Sequence, residues 1–468
     1  MASNYDVVVL GGGTGGYVAA IRAASEGLKT AIVEKDKLGG TCLHKGCIPT
    51  KSLLKSAEMY VAAKSLQAYG VHAENVTFNF QEMLMQKDQI VETLYGGVKS
   101  LLTKAGVDVY NGTGTILGPS IFSPLPGTIS VVTDNEEPKM LLPTTIIIAT
   151  GSRPRALPFL PFDQQCVLSS DDMLQLQTLP SSILIVGAGV IGVEWASLLV
   201  DLGVEVTLLE VGPTILPTED EDIQHEMMKQ LSSRNVKIIT NAQVNETTLV
   251  IEKQVLFKSE NVNVVAEKVL IAIGREACTS SIGIENTDIE VQDGFIVVND
   301  VYQTAESHMF AIGDCIGGLQ LAHVATAEGL AAIDYIVHKK RSLVQEAVVP
   351  KCIYSAPQIA SVGLTEKQAR EKYGDIDVKK VLFQSIGKAH SNRTTTGFMK
   401  MMTEKKYGEI VGIHLIGKDV TELISEGALA MTLRAVPEEL SFTVHPHPSL
   451  SEVYSEVAMA LQGKGIHS

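Results

Sequence analysis

Cys42 and Cys47 lie five positions apart in Gly39-Gly-Thr-Cys42-Leu-His-Lys-Gly-Cys47-Ile-Pro-Thr-Lys51. Two thiols at that spacing can exchange two electrons as a dithiol and a disulfide. In a regular helix their Cα atoms would stand roughly 8.6 Å apart, whereas an unstrained disulfide usually needs less than about 7 Å. A bridge therefore demands a distorted turn, which Gly46 permits, and strained disulfides are the easily reduced ones. The alternatives are a metal-ligand pair or two inert thiols; no second Cys or His pair at zinc spacing accompanies them. Lys51 follows Cys47 by one helical turn, which suits either a group near the same cofactor or an ordinary solvated lysine.

A second reactive set stands near the C-terminus in His445-Pro-His447-Pro-Ser-Leu-Ser-Glu452. A thiol near pKa 8.5 attacks only as thiolate, so a dithiol substrate needs a base working near neutrality. Histidine supplies one, and a carboxylate such as Glu452 can fix its tautomer. A turn histidine, or a metal pair made by His445 and His447, fits the spacing equally well.

Two glycine runs carry the third signal. Gly11, Gly13 and Gly16 follow the apolar run Tyr5–Leu10, and Gly187, Gly189 and Gly192 follow Ile183–Val186. Such loops let a pyrophosphate approach the positive end of a helix. Each is followed, at equal spacing, by an acid that can accept from an adenosine ribose: Glu34 in the first copy and Glu210 in the second. Glu210 suits the free 2′-hydroxyl of NAD and repels the 2′-phosphate of NADP. Val211 and Gly212 supply no cation for that phosphate.

These residues need strand–turn–helix–strand units, and the chain repeats that pattern twice. Thr145–Ser152 and Val269–Gly274 read as buried strands ended by glycine. The pattern predicts an α/β fold with two Rossmann-like nucleotide-binding domains, one inserted in the other. The expected segments are 1–149, 150–273, 274–347 and a terminal α+β domain, 348–468. In the last, Cys352–Gly363, Gly397–Thr403 and Ile410–Ile416 read as antiparallel strands, with helices over Val420–Leu433 and Ser451–Gln462.

The 468 residues exceed one core, and 45% hydrophobic content with 19% charge is that of a globular chain. The 53 acidic and 38 basic side chains argue against a nucleic-acid surface. No apolar run is long enough for a membrane span. The first strand starts too near Met1 for a signal peptide, which leads to the expectation of a cytoplasmic protein. Six cysteines are too sparse for a disulfide scaffold.

Together these motifs resemble the pyridine nucleotide–disulfide oxidoreductases, over essentially the whole chain. Gly15–Ala20, the box holding Cys42 and Cys47, Ala149–Ser152, Ile312–Asp314 and Leu321–His323 are similar to that family's FAD contacts. Within the family, the His-Pro-His-Pro-Ser-Leu-Ser-Glu stretch resembles the branch that oxidises protein-bound dihydrolipoamide with NAD⁺. The resemblance implies that Cys42 meets substrate, that Cys47 faces flavin, and that Lys51 sits near the flavin and pairs with Glu194. It implies that His447, oriented by Glu452, serves the partner subunit's site in a homodimer, 348–468 being the dimerisation domain. The implied FAD contacts are Gly11, Gly13, Gly16, Glu34, Gly40, Thr41, Lys51, Gly114, Thr150, Gly151, Ser152, Asp314, Gln320, Leu321, Ala322 and His323. Those to NAD are Gly187, Gly189, Gly192, Glu194, Glu210, Val244 and Gly274. No metal is expected. The implied partners are lipoyl-bearing proteins, either a 2-oxo acid dehydrogenase acyltransferase or a glycine-cleavage carrier.

Thr14, His44, Lys45 and Pro446 depart from the commoner family residues, and the two between the cysteines bring extra charge near the thiols. An NADPH-dependent glutathione-type reductase would carry basic residues after Glu210, and a mercuric reductase extra C-terminal cysteines. A flavin transhydrogenase would lack the cysteine pair. A non-enzymatic flavoprotein scaffold or NADH sensor would have no use for Cys42, Cys47 and His447 together.

Overall fold

The computed structural model describes residues 3–119, 126–133, 137–243, 248–251, 254–258 and 263–467. They group into two compact units. One comprises Met1–Leu53, Gln81–Arg155 and Gly274–Val344, the other Leu54–Phe80, Ala156–Ile273 and Gln345–Ser468.

In the first unit, residues 7–10 of strand Ser3–Leu10 are apolar on both faces because they lie mid-sheet, buried on each side. It pairs in parallel with Thr30–Glu34 on one side and Lys139–Ile148 on the other. Asp108–Asn111 extends the sheet beyond Thr30–Glu34, and Met309–Ala311 pairs in parallel with Lys139–Ile148. Thr128–Val132 and Thr113–Leu117 continue it as an antiparallel meander. Chain order reverses at Ser3–Leu10, which opens a crevice at the carboxyl ends of these strands. Helix Thr14–Ser25 packs closely on helix Ala322–His338, because a Cβ on Gly15 would stand 2.9 Å from Ala325 O.

Beside a small three-stranded antiparallel sheet, Thr248–Ile251, Gln254–Lys258 and Asn263–Ala266, the second unit holds two five-stranded sheets of opposite style. Lys237–Ile239, Glu205–Leu209, Ser182–Val186, Lys268–Ile271 and Val167–Leu168 form a parallel sheet in that order. Lys351–Ile353, Gln358–Gly363, Ile410–Gly417, Phe398–Glu404 and Ile376–Leu382 form an antiparallel one. Helices Val420–Thr432 and Glu452–Leu461 bury an apolar face on this second sheet, around Tyr454, Phe383, Met399 and Ile413.

The α/β class with a terminal α+β domain is as the sequence pattern indicated. Cys352–Gly363 is a pair of strands rather than one. Strand Ile376–Leu382 and helix Pro437–Phe442 carry too short or too polar a pattern to be read locally. Among the described residues, no helix is long and apolar enough to cross a membrane.

Candidate active site

The cysteine turn begins where the backbone leaves strand Thr30–Glu34. Gly39 and Gly40 adopt φ values of 102° and 59°, which glycine alone takes without strain. Gly39 N donates to Gly12 O at 2.7 Å, which lays this turn against the first glycine loop. Helix Gly40–His44 then stops at Lys45 and a second helix restarts at Cys47. The break is the distortion that the five-residue spacing demands. Gly46 permits it through space rather than a special φ: a Cβ there would stand 3.2 Å from Thr41 O.

The break makes neighbours of the two thiols. The hydrogen bond with Cys47, then burial, pushes the Cys42 thiol up, while the Lys51 ammonium pulls it back down. Tyr17 is close enough to Cys42 for the thiolate to raise its phenol, after the larger effect of its own burial. The charges brought by His44 and Lys45 are absorbed by the turn. His44 Nε2 bonds Leu38 O at 2.8 Å, and Lys45 pairs with Asp36 at 2.6 Å. Cys315 lies in a different setting, where burial, with a smaller push from the Asp314 carboxylate, raises its thiol to about 12.

Around this turn the first loop is built for an anionic dinucleotide. Helix Thr14–Ser25 has Gly13 as N-cap, with no side-chain cap and no acid in its first turn, so no side chain of its own answers its positive end. A Cβ on Gly16 would overlap Gly11 O at 2.0 Å, whereas one on Gly13 would meet open space. Glu34 holds Gly12 N at 2.6 Å and Asp36 N at 2.7 Å. A carboxylate offers about four acceptor positions, so this one retains capacity for a ribose.

The remaining expected FAD residues line two chain segments of the same unit. Ser152 Oγ donates to Asp314 Oδ2, and Gln320 Nε2 is buried with no hydrogen-bond partner among the described residues. Leu321 caps helix Ala322–His338, which carries His323 in its first turn. Gly114 packs on the core instead, its missing Cβ being 2.8 Å from Leu10 Cδ2. The glycine cradle, the uncapped helix and the orphaned amide of Gln320 fit FAD.

Sequence reading missed two residues here. Arg275 donates to Ser152 Oγ and to Ser152 O, both at 2.7 Å, and stands 4.0 Å from Asp314. Buried Glu328 accepts from Gly313 N at 2.7 Å, fixing the turn that carries Asp314. Its signal was present: a carboxylate on the apolar face of a helix needs a buried donor.

In the second unit, Gly187, Gly189 and Gly192 repeat the first geometry. Helix Val190–Asp201 is again uncapped behind Gly189, and Glu210 holds Ala188 N and Gly212 N, both at 2.8 Å. Buried Glu194 accepts from Tyr354 N at 2.9 Å. Gly274 has φ 107°, and its carbonyl accepts from Arg155 N at 3.1 Å within the first unit. Val244 lies outside the described residues.

The two C-terminal histidines separate cleanly. His445 is buried and bonds Glu426 Oε1 at 2.7 Å. The His447 side chain is 77% exposed, and Nδ1 stands 2.9 Å from Glu452 Oε1. Burial opposes ionisation of Glu452, but Ser449 N–H and then His447 hold its carboxyl below the usual range.

A dithiol pair set against one dinucleotide loop, with a second dinucleotide loop in the same chain, defines a nucleotide-linked disulfide oxidoreductase. The chain belongs to the pyridine nucleotide-disulphide oxidoreductase family: residues 5–329 match that family and residues 349–458 its dimerisation domain. It is thus a flavoprotein whose cofactors are FAD and NAD. A dihydrolipoyl dehydrogenase of Bacillus subtilis is 52% identical, with each chain covered completely. The mitochondrial dihydrolipoyl dehydrogenase 2 of Arabidopsis thaliana is 37% identical over 99% of this chain and 91% of its own. Among solved structures, LpdA from Mycobacterium tuberculosis aligns with a TM-score of 0.91 at 25% identity, over 98% of this chain and 99% of that one. The Cu(II) complex of the HOCl-induced flavoprotein disulfide reductase RclA from Escherichia coli aligns at 0.87 and 29%, with the same coverage.

Proposed function

We propose that this enzyme oxidises dihydrolipoyl groups carried on proteins and reduces NAD⁺. The observation that carries the reading is the helix break at Lys45–Gly46, which sets Cys42 and Cys47 side by side. In its oxidised form this pair accepts two electrons by thiol–disulfide exchange. The dihydrolipoyl dithiol closes to its disulfide, and the protein disulfide opens to Cys42 and Cys47 thiols. Reoxidation of those thiols returns the pair to its starting state and delivers a hydride equivalent to NAD⁺, with one proton released. The chemistry that FAD supplies when bound is the two-electron relay between thiols and nicotinamide. The residues of the first loop, with Thr41, Ser152, Asp314, Gln320 and His323, would hold it.

Attack on the protein disulfide needs the substrate thiol as its thiolate, so a base is required, and His447 backed by Glu452 is the one we assign. That base serves the neighbouring subunit of a homodimer. Support for the dimer comes from Leu429, Leu433, Phe442 and Val444, large apolar side chains left exposed on the matched dimerisation domain. The partners would be the lipoyl carriers of 2-oxo acid dehydrogenase or glycine-cleavage assemblies, in a reducing cytoplasm that suits six scattered cysteines.

Steady-state turnover of dihydrolipoamide with NAD⁺ tests this, beside NADP⁺ and a glutathione disulfide control. Turnover with NAD⁺ alone is expected. Equal rates with NADP⁺, or faster reduction of glutathione disulfide, would refute the assignment.

A further inference from the structure

The two glycine loops are closed in the same way by chemically different residues. In the first, Gly12 donates its N–H to Glu34, and its carbonyl accepts from Gly39 N at 2.7 Å. In the second, Ala188 donates to Glu210, and its carbonyl accepts from Leu216 N at 2.8 Å. Both closing residues are left-handed, Gly39 at φ 102° and Leu216 at φ 50°. Glycine adopts that backbone freely, whereas a leucine there clashes with its own carbonyl. Leu216 is also fully buried. Strain of this kind persists only where the surroundings over-determine it.

The restraint can be followed bond by bond. Leu216 O accepts from Glu219 N at 2.9 Å and from Gln224 Nε2 at 3.2 Å, and that amide also bonds Glu219 O at 2.8 Å. The next two carboxylates run into the C-terminal sheet. Ser361 Oγ donates to Glu219 Oε2 at 2.8 Å, and Lys351 Nζ is 3.7 Å from Oε1. Lys400 Nζ is 2.7 Å from Asp220 Oδ1, and Glu366 N donates to Oδ2 at 2.9 Å. Lys351, Ser361, His414 and Lys400 are register partners on four adjacent strands, so they form one row across the sheet. Three of the four are buried, and a buried polar row is unfavourable unless its partners stand opposite. Here Glu219 stands opposite Ser361 and Lys351, and Asp220 opposite Lys400, while His414 bonds Leu364 O at 2.8 Å.

We propose that this row is a positioning device for the second nucleotide loop. It grips Glu219 and Asp220, and through them holds strained Leu216 where its N–H fixes the Ala188 carbonyl. The loop Gly187–Gly192 thereby keeps the shape that takes the pyridine nucleotide. Ser361, Lys400 and Glu219 are positioning residues acting through Leu216. The inference rests on that loop being the NAD site.

The test uses the flavin-loaded enzyme with Ser361→Ala. Three quantities are read: the NADH dissociation constant, amide exchange at Leu216 without nucleotide, and reduction by dihydrolipoamide without NAD⁺. NADH binding should weaken roughly 3- to 30-fold, the range for a site perturbed through intervening contacts. KM for NAD⁺ should rise with kcat held. The Leu216 amide should exchange faster, while amides of Gly11–Gly16 and reduction by dihydrolipoamide stay unchanged. Unchanged NADH affinity and Leu216 exchange, with only a lowered melting temperature, would make the row structural glue and overturn the proposal. Should Ser361→Ala fail to fold, Glu219→Gln keeps an acceptor for Ser361 but loses the charge facing Lys351. Wild-type NADH affinity in that variant would equally overturn it. A wild-type enzyme that fails to bind NADH would overturn the reading of the loop itself, and the inference with it.

Discussion

His447 Nδ1 stands 2.9 Å from Glu452 Oε1, while Ser449 N–H holds the other carboxylate oxygen at the same distance. With Nδ1–H donating to Glu452, the lone pair is on Nε2, and the exposed ring presents it outward. His445, by contrast, is buried with its ring turned to Glu426.

His447→Gln should therefore lower dihydrolipoamide turnover roughly 10²- to 10⁴-fold, the usual worth of a positioned acid–base group. Flavin content should be normal, and reduction of ferricyanide by NADH should survive. Glu452→Gln should fall between that variant and wild type. In mixtures of Cys42→Ser and His447→Gln subunits, activity should return if the base serves the neighbouring chain. Its failure to return despite proven subunit exchange would assign His447 elsewhere.

Glu210 fixes the amides of Ala188 and Gly212, and in the proposed function it also receives the ribose. Loss of hydrogen bonds to a charged group predicts a fall of roughly 10- to 100-fold in NADH affinity for Glu210→Ala. Adding Val211→Arg should shift preference toward NADP⁺. Flavin content should not change, because Glu34 supports the other loop. Wild-type NADH affinity in Glu210→Ala, measured by titration, would contradict the geometry.

Local patterns made the glycine loops, Glu34, Glu210 and the cysteine turn legible, because spacing alone sets what they can do. Arg275 was not, since it acts on a partner distant in sequence, and the apolar helix face that marks Glu328 does not name Gly313 as its donor. Arg275 reaches Ser152 across an antiparallel strand pair that no periodicity announces. The row from Lys351 to Lys400 exists only once strand register is known. The left-handed Leu216 leaves no compositional trace, whereas Gly39 in the matching place does. His445 and His447 look alike in spacing; the family resemblance singles out His447, and the fold sets them apart by burial.

The Lys51 ammonium opposes the effects that hold Cys42 as a thiol. Lys51→Met should then move the pH profile for alkylation of Cys42, in reduced protein, to higher pH. Mass spectrometry of iodoacetamide-treated samples reads this directly. Fully buried Cys315 should stay unmodified in both proteins. An unchanged profile in Lys51→Met would mean the lysine does not act on Cys42.

Lys400 binds three carboxylates within 2.8 Å, those of Asp220, Asp222 and Glu366, and is itself buried. Burial opposes ionisation of each acid, yet its hydrogen bonds to Lys400 and other donors, preceded for Asp220 by the neighbouring His414, hold it below its ordinary value. A folded-state value below the unfolded one means stability present above the unfolded value, about pH 4, and lost as pH falls through the folded one. Removing one partner of a buried pair typically costs about 3–5 kcal/mol, because the other charge stays behind unpaired. Lys400→Met should thus unfold at markedly lower denaturant than wild type at pH 7. Below about pH 4 the gap should narrow, since protonated carboxyls no longer need the lysine. Asp220 is the sharpest case, as its side chain is 1% exposed and its oxygens also serve Glu366 N and the first turn of helix Glu221–Ser233. Asp220→Asn in the Lys400→Met background should therefore recover part of the loss at neutral pH. A gap that stays constant from pH 7 to pH 3 would show that packing of the lysine stem, rather than its charge, carries the contribution.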